Sequence, residues 1–137
     1  FLQSAGPFVL KPGAVVTWVL ISPYCIWEWL FASKGKFGLA FRRLKKRNVK
    51  AHLEGVEFAT YFFSPNDVKK AFGQDFKVID LEGLATFTPP PYLDWISIKY
   101  PKFYNALTWL DQKTCKWPLL RIIGDHFIIS LQYQPQK

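Results

Sequence analysis

The chain contains no methionine among its 137 residues and only two cysteines, and both shortages restrict its interpretation. Because no initiator methionine is present, we expect the chain to begin inside a longer protein. Cys25 and Cys115 stand alone, without a CxxC pair or another metal-ligand spacing. The sequence therefore predicts two buried free thiols in a cytosolic protein rather than a disulfide framework or a zinc site.

Long hydrophobic runs are also absent. The longest run, Ala14 to Ile21, is too short to span a bilayer and is interrupted by Thr17. No charged segment is followed by an apolar stretch and a small-residue cleavage site, so no signal peptide is visible. Together with the two free thiols, these absences predict a cytoplasmic location. Hydrophobic residues make up 50% of the chain and aromatic residues 18%, which argues against disorder.

Acidic residues are missing from one segment, and this segment carries the whole net charge of +8. Residues 34–50 contain eight basic residues: Lys34, Lys36, Arg42, Arg43, Lys45, Lys46, Arg47 and Lys50. Three interpretations remain open for this segment. It is a solvated helix face, a surface for an anionic substrate or anionic lipid, or a nucleic-acid contact. Nucleic acid is the least favoured, since no known binding module is present.

The first recognisable element is a strand. Residues 1–10 are predicted to end a helix, Pro12 and Gly13 form a turn, and Ala14 to Ser22 is a nearly unbroken apolar strand. A strand that is apolar on both faces belongs inside a parallel sheet covered by helices. Such a sheet needs earlier strands, so we expect the chain to be the back half of an α/β protein.

The rest of the chain alternates between helical and extended patterns. The predicted elements are a helix over 23–33, a second helical stretch with an apolar stripe of Phe37, Ala40, Phe41 and Leu44, a strand over 56–63, a helix from Ser64 to Phe72, a strand over 76–88, helices over 91–99 and 101–115, and a strand over 125–133. Gly83 is predicted to be a bulge or a point of close approach.

Several motifs resemble one enzyme family. Leu10-Lys11-Pro12-Gly13 before an apolar strand is similar to the L-x-P-G-G turn of S-adenosylmethionine-dependent methyltransferases with a Rossmann-like fold. The chain resembles their generic bacterial small-molecule branch over essentially all of its length. The further stretches that carry this resemblance are Cys25-Ile26-Trp27-Glu28, Ala40-Phe41-Arg42-Arg43, Tyr61-Phe62-Phe63-Ser64-Pro65, Gly83-Leu84-Ala85, Pro89-Pro90-Pro91-Tyr92 and Gly124-Asp125-His126-Phe127.

This resemblance implies a partial Rossmann-like α/β sheet, made of the last three strands with the final one antiparallel, and helical lid insertions. Residues 1–137 are then a single domain, the C-terminal part of a larger methyltransferase domain. The family's Gly-rich cofactor turn, acidic residue and strand-four motif have no counterpart in the sequence. We therefore expect S-adenosylmethionine to bind to the intact protein and not to this part, which is expected to be inactive alone.

Two insertions are the predicted substrate side. Segments 23–62 and 89–124 each follow the carboxyl end of a strand, where ligands bind in open α/β sheets, so they are expected to form a lid. For Trp27 and Tyr92, ordinary core packing is the alternative to a substrate contact. The candidate substrate-binding residues in or near this lid are Tyr24, Trp27, Arg42, Arg43, Tyr61 and Tyr92.

Two residues are candidates for catalysis. Glu28 lies on an otherwise apolar helix, where it is a base, a partner for Arg42 or Arg43, or solvent-exposed. His126 is either a general base or a structural histidine bonded to backbone. Asp125 could orient it, although neighbours on a strand point to opposite faces. No hydrolase, P-loop or metal-ligand motif is present.

The sequence thus predicts the substrate-binding part of a methyltransferase that acts on a small-molecule or lipid-like acceptor. The alternative is a non-catalytic basic module that contacts nucleic acid or an anionic membrane surface, with segment 34–50 as the lipid contact. An apolar strand over 14–21 that lacks its neighbour would leave an open edge. We therefore also expect self-association through this strand.

Overall fold

The computed structural model describes residues 10–30, 32–45, 49–53 and 56–135. The predicted helix end before Leu10 and the basic residues at 46–48 lie outside this range. The strands are β1 (Val15–Ile21), β2 (Val49–Leu53), β3 (Val56–Thr60), β4 (Phe76–Leu84) and β5 (His126–Tyr133). The α-helices are α1 (Ile26–Trp29), α2 (Phe37–Ala40), α3 (Pro65–Phe72), α4 (Trp95–Lys99), α5 (Pro101–Thr114) and α6 (Leu120–Ile123). Short 3-10 helices occupy Ala32–Lys34, Arg42–Lys45 and Pro91–Leu93.

The fold is mixed α/β, built on a three-stranded sheet in the order β1-β5-β4. The last strand lies in the middle and runs antiparallel to both neighbours, with Trp18 opposite Ile129 and Leu81 opposite the same residue. The predicted antiparallel final strand is therefore confirmed. Among the described strands, β1 lies at the edge and pairs with β5, and it runs parallel to β4 on the other side of β5; its place inside a larger parallel sheet stays a prediction.

One face of the sheet carries the core. Phe127, Ile129 and Leu131 of β5 are fully buried, and Val68 of α3 packs on them. The partly buried residues packed around this cluster are Trp18, Leu20, Phe63, Phe72, Phe76 and Val78. Val15 and Val19 point to the other face, where they are 53% and 59% exposed. The alternating exposure of β1 thus follows from one covered sheet face.

Helix α3 starts where the sequence predicts. Ser64 is its N-cap and accepts from the Asp67 amide, while the Asp67 carboxylate accepts from the Ser64 amide at 2.8 Å. Pro65 occupies the first turn, and Gly73 ends the helix with φ of +73°, a conformation that glycine adopts without strain. This reciprocal cap satisfies two backbone donors that the first helical turn would leave unpaired.

Strand β4 is shorter than predicted and ends at Leu84. Its bulge lies between Val78 and Asp80 rather than at Gly83. Gly83 is instead a point of close approach, because a Cβ atom there would lie 2.7 Å from the Cα of Arg121. The absence of a side chain at this position therefore lets α6, which the sequence analysis did not predict, pack directly on β4.

The basic segment folds differently from the prediction. A helix over 23–33 and a second helical stretch are expected, but α1 and α2 have four residues each, and the antiparallel pair β2–β3 follows. Of the predicted apolar stripe, only Ala40 is buried, whereas Phe37, Phe41 and Leu44 are 62%, 45% and 46% exposed and the basic residue Arg43 is buried. The reason for this reversal is electrostatic, since carboxylates that are distant in sequence surround Arg43.

The two helices predicted between β4 and β5 are present as α4 and α5. Pro101 is the first residue of α5, where its missing N–H is tolerated. Phe103 in the first turn of α5 is 56% exposed. Helix α5 is the longest in the described part of the chain, and no helix there has the length and apolar character needed to cross a bilayer.

Candidate functional site

Two insertions meet at one edge of the sheet. Because β1 and β4 both run antiparallel to β5, they are parallel to each other and their carboxyl ends lie at the same edge. The first insertion leaves β1 at Ser22, and the second returns to β5 through Asp125. The Ser22 amide donates to the Asp125 carbonyl at 3.0 Å, so the two insertions are joined where they touch the sheet.

Arg43 is the centre of the candidate site. Its guanidinium donates to Asp125 Oδ1 at 2.6 Å, to the Asp125 carbonyl at 3.2 Å and to the Ser22 carbonyl at 3.3 Å. Its Cζ atom lies 5.3 Å from the centre of the Phe62 ring, within cation–π range. Arg43 of the first insertion therefore holds Asp125, the residue at which the second insertion ends.

Glu28 supplies the second negative charge. It accepts from Arg42 at 2.7 Å and 3.2 Å in a bidentate pair, and its Oε1 lies 2.9 Å from Arg43 Nε. The Arg43 Nε–H does not point at an acceptor, so this last contact is an ion pair without a hydrogen bond. The Glu28 side chain is 1% exposed. Of the three roles predicted for Glu28, the structure shows that of an arginine partner, and Glu28 contacts both Arg42 and Arg43.

His126 connects this buried network to solvent. Its Nδ1 lies 2.8 Å from Asp125 Oδ2, and its side chain is 38% exposed, whereas Asp125 is 10% exposed. Asp125 precedes β5 and is not constrained by strand alternation, which is why two sequence neighbours can contact each other here. The structure therefore gives His126 the oriented-base geometry, with its Nδ1 against a carboxylate.

The network keeps Asp125 and Arg43 charged. Burial alone would raise the pKa of Asp125, but the hydrogen bond from His126 and the charge of Arg43 lower this pKa to about 2. Burial acts to lower the pKa of Arg43, and the negative charge of Asp125 outweighs it, so this pKa is raised. The Arg43–Asp125 contact is thus an ion pair at neutral pH.

Two further titratable groups, Cys25 and Tyr92, interact electrostatically with this network. Burial raises the pKa of the Cys25 thiol, which is 1% exposed and lies 3.6 Å from Asp125 Oδ1. Burial also raises the pKa of Tyr92, with an added contribution from the negative charge of Glu28. Tyr92 is therefore electrostatically linked to the cluster from the second insertion. Only Cys25 is buried as predicted, since Cys115 is partly exposed.

The remaining predicted site residues are more dispersed. The Tyr24 ring packs edge-on against Trp29, with centroids 6.4 Å apart. Trp27 is half-buried, and its indole N–H is buried without a hydrogen-bond partner. Tyr61 and Tyr92 are 42% and 48% exposed. Of the predicted set, Arg42, Arg43, Glu28 and His126 are therefore joined by contacts.

The sequence analysis did not single out Ser22 or Cys25 for the site. Ser22 is fully buried and organises the turn after β1: its hydroxyl donates to the Ile122 carbonyl at 3.0 Å and accepts from the Tyr24 amide at 3.1 Å. No motif marks this role. The only available signal was the position of a small hydroxyl residue at the carboxyl end of a strand.

The described residues contain no counterpart of the Gly-rich cofactor turn that the resemblance implies. Their glycines with positive φ lie before β1 (Gly13), after a 3-10 helix (Gly35) and at the end of α3 (Gly73). None of these forms a Gly-rich turn that leads from a strand into a helix. No group of three or more His, Cys, Asp or Glu side chains within the described ranges could hold a metal ion.

Comparisons with known proteins add no assignment. No protein-family model matches the chain, and no curated protein matches its sequence significantly.

Proposed function

We propose that this chain is the acceptor-side part of an S-adenosylmethionine-dependent methyltransferase that acts on a small-molecule or lipid-like acceptor. One observation carries the proposal: two insertions leave the same edge of the sheet, beyond the carboxyl ends of β1 and β4, and the Arg43–Asp125 pair holds them together. Such an arrangement suits a lid over a substrate. The proposal assigns cofactor binding to other residues of the protein.

His126 is the proposed general base. A carboxylate at Nδ1 favours the tautomer that carries its proton on Nδ1, which leaves the Nε2 lone pair available. Nε2 would accept the proton that the nucleophilic atom of the acceptor loses. Asp125 stays ionised beside Arg43 and stabilises the resulting imidazolium, so Arg43 is a positioning residue in this scheme.

Methyl transfer by the protein from the intact gene tests the proposal. We expect this protein to bind S-adenosylmethionine in calorimetry and to transfer a labelled methyl group to a small-molecule extract. His126→Asn should lower kcat by about 100-fold. Lys116→Gln, which removes an exposed ion pair with Asp80 and Glu82, is the control and should keep full activity. An intact protein that does not bind the cofactor would refute the proposal.

A second candidate function is contact with an anionic membrane surface. The exposed apolar side chains of the basic segment favour it. Phe37, Phe41 and Leu44 are 62%, 45% and 46% exposed, beside the exposed Lys34, Lys36 and Lys45. Flotation with phosphatidylcholine vesicles, with and without phosphatidylserine, separates this function from catalysis. We expect binding only with phosphatidylserine, and the Phe37→Ser, Phe41→Ser double variant should lose it.

Self-association through β1 is a further part of the proposal. The outer edge of β1 is not paired by any described strand, and Val15 and Val19 beside it are exposed. Light scattering of the 137-residue chain tests this point. A monomer whose mass does not change with concentration would contradict it.

A further inference from the structure

A cleft of about 510 Å3 lies beyond the carboxyl end of β4, between the loop that follows this strand and helix α5. Leu84 lines it, and Leu84 is the register partner of His126. The cleft therefore adjoins the proposed base without including it. Its wall is mostly apolar, and its size suits a small organic ligand.

The loop that forms one wall is held by Asp111 of α5. The carboxylate accepts from the Thr86, Phe87 and Thr88 amides at 3.1, 2.9 and 2.8 Å. Ala85 enters this loop with φ of +51° and is the one non-glycine residue with positive φ in the described part of the chain. Three amides directed at one carboxylate give the wall a fixed shape, so the cleft is preformed.

The polar atoms of the cleft mainly lack hydrogens to donate. The Thr108 hydroxyl donates to the Tyr104 carbonyl at 3.1 Å, so the Thr88 hydroxyl, 3.4 Å away, donates to Thr108. The Cys115 thiol donates to the Gln112 carbonyl at 3.6 Å. With these hydrogens used internally, the hydroxyl oxygens offer lone pairs. The exposed amide of Gln112 is the exception. A ligand must therefore supply the hydrogen-bond donor.

The charges of the lining residues also favour a ligand that donates hydrogen bonds. Glu82 and Asp111 line the cleft, and no Lys, Arg or His is found among its described lining residues. Lys116, which pairs with Glu82 at 2.8 Å, is not part of the lining. We propose that this cleft binds a small apolar amine, with the ring or alkyl part on the apolar wall and the ammonium group beside Glu82. This binding inference does not rest on the proposed methyltransferase function.

Cys115 gives a local readout for this cleft. It is a partly exposed free thiol in the wall, whereas Cys25 is buried. The experiment measures alkylation of Cys115 by iodoacetamide in the full-length protein, read by mass spectrometry of the peptide that contains it. Three probes share a phenyl ring and differ in their polar group: phenethylamine, phenethyl alcohol and phenylacetate. Ligand-observed NMR gives their dissociation constants.

We expect phenethylamine to bind most tightly and to slow alkylation of Cys115, with phenethyl alcohol weaker and phenylacetate without effect. Glu82→Gln should weaken phenethylamine about fivefold and leave phenethyl alcohol unchanged, because only the cation interacts with the carboxylate charge. Asp80→Asn is the matched control, since Asp80 pairs with the same Lys116 but does not line the cleft.

Three outcomes would overturn the inference. They are equal protection of Cys115 by phenylacetate, no protection by any probe, and equal loss of amine binding in the Glu82→Gln and Asp80→Asn variants. The readout is binding and thiol reactivity rather than methyl transfer. A failure here is therefore distinguishable from a failure of the proposed function.

Discussion

Two clusters within the described part of the chain place a cation between two carboxylates, and they differ in burial. Arg43 lies 2.9 Å from Glu28 and 2.6 Å from Asp125, whereas Lys116 lies 3.1 Å from Asp80 and 2.8 Å from Glu82. The Arg43 side chain is 8% exposed and that of Lys116 is 61% exposed. Although the distances are similar, we expect loss of the cation to reduce stability more in the buried cluster than in the exposed one.

The clusters also differ in what they connect. The exposed cluster joins β4 to the chain just after α5, which already touch through the Gly83 amide and the Cys115 carbonyl. The buried cluster joins the first insertion to the start of β5. Removing the buried cation leaves two carboxylates without their partner in a dry environment, whereas removing the exposed one leaves carboxylates that water can solvate.

The largest effect is expected for Arg43→Met, which removes the buried cation and keeps an apolar stem. We expect the free energy of unfolding to fall by about 3 to 5 kcal/mol, because Asp125 and Glu28 stay buried with less compensation. Chemical denaturation at neutral pH measures this loss. Arg42→Met is the matched control: it also pairs with Glu28, but its side chain is 37% exposed, and the expected loss is about 1 kcal/mol or less. Equal losses in the two variants would contradict the role of burial.

An intermediate effect is expected from acid. The pKa of Asp125 is about 2 in the folded protein and near 3.8 without these interactions. Since the folded state holds the proton more weakly, Asp125 contributes stability above about pH 4 and loses it as the pH falls to about 2. The expected contribution is about 2 kcal/mol. Denaturation at a series of pH values measures it, and Asp125→Asn should remove this part of the acid dependence.

The smallest effect is expected for Lys116→Gln. The neighbouring carboxylates raise the pKa of Lys116 to about 12, but the ammonium group is exposed and screened. We therefore expect no measurable change in the free energy of unfolding at moderate salt. A loss as large as that of Arg43→Met would show that exposure does not separate the two clusters.

The sequence predicted the elements whose signals are local. Helix α3 was foreseen from Ser64 to Phe72 because its cap, its proline and its terminal glycine all lie within the segment. Helix α5 was foreseen from Pro101 for the same reason. The prediction was wrong for the helix over 23–33 and less accurate for the helical stretch after it, since α1 and α2 have four residues each. There, contacts with residues distant in sequence decide which side of the chain is buried.

The candidate site was predicted in part. Glu28 and His126 were named from their unusual settings, and Glu28 was paired with the arginines as one option. That Arg43 binds Asp125, 82 residues away, could not be predicted, because nothing local distinguishes Arg43 from its basic neighbours. Strand alternation predicts that Asp125 and His126 point to opposite faces, which disfavours the orientation of His126 by Asp125. It is observed because Asp125 lies just outside β5.

By itself, the sequence determined the turns and helix ends, the apolar strands and the concentration of positive charge between residues 34 and 50. These properties depend on side chains that are close together along the chain. Only the tertiary structure decided that the last strand lies between β1 and β4, and this order brings both insertions to one edge. Which of the many cations becomes the buried one follows from that edge. Among the described residues, Arg43 alone reaches Asp125 and Glu28 together there.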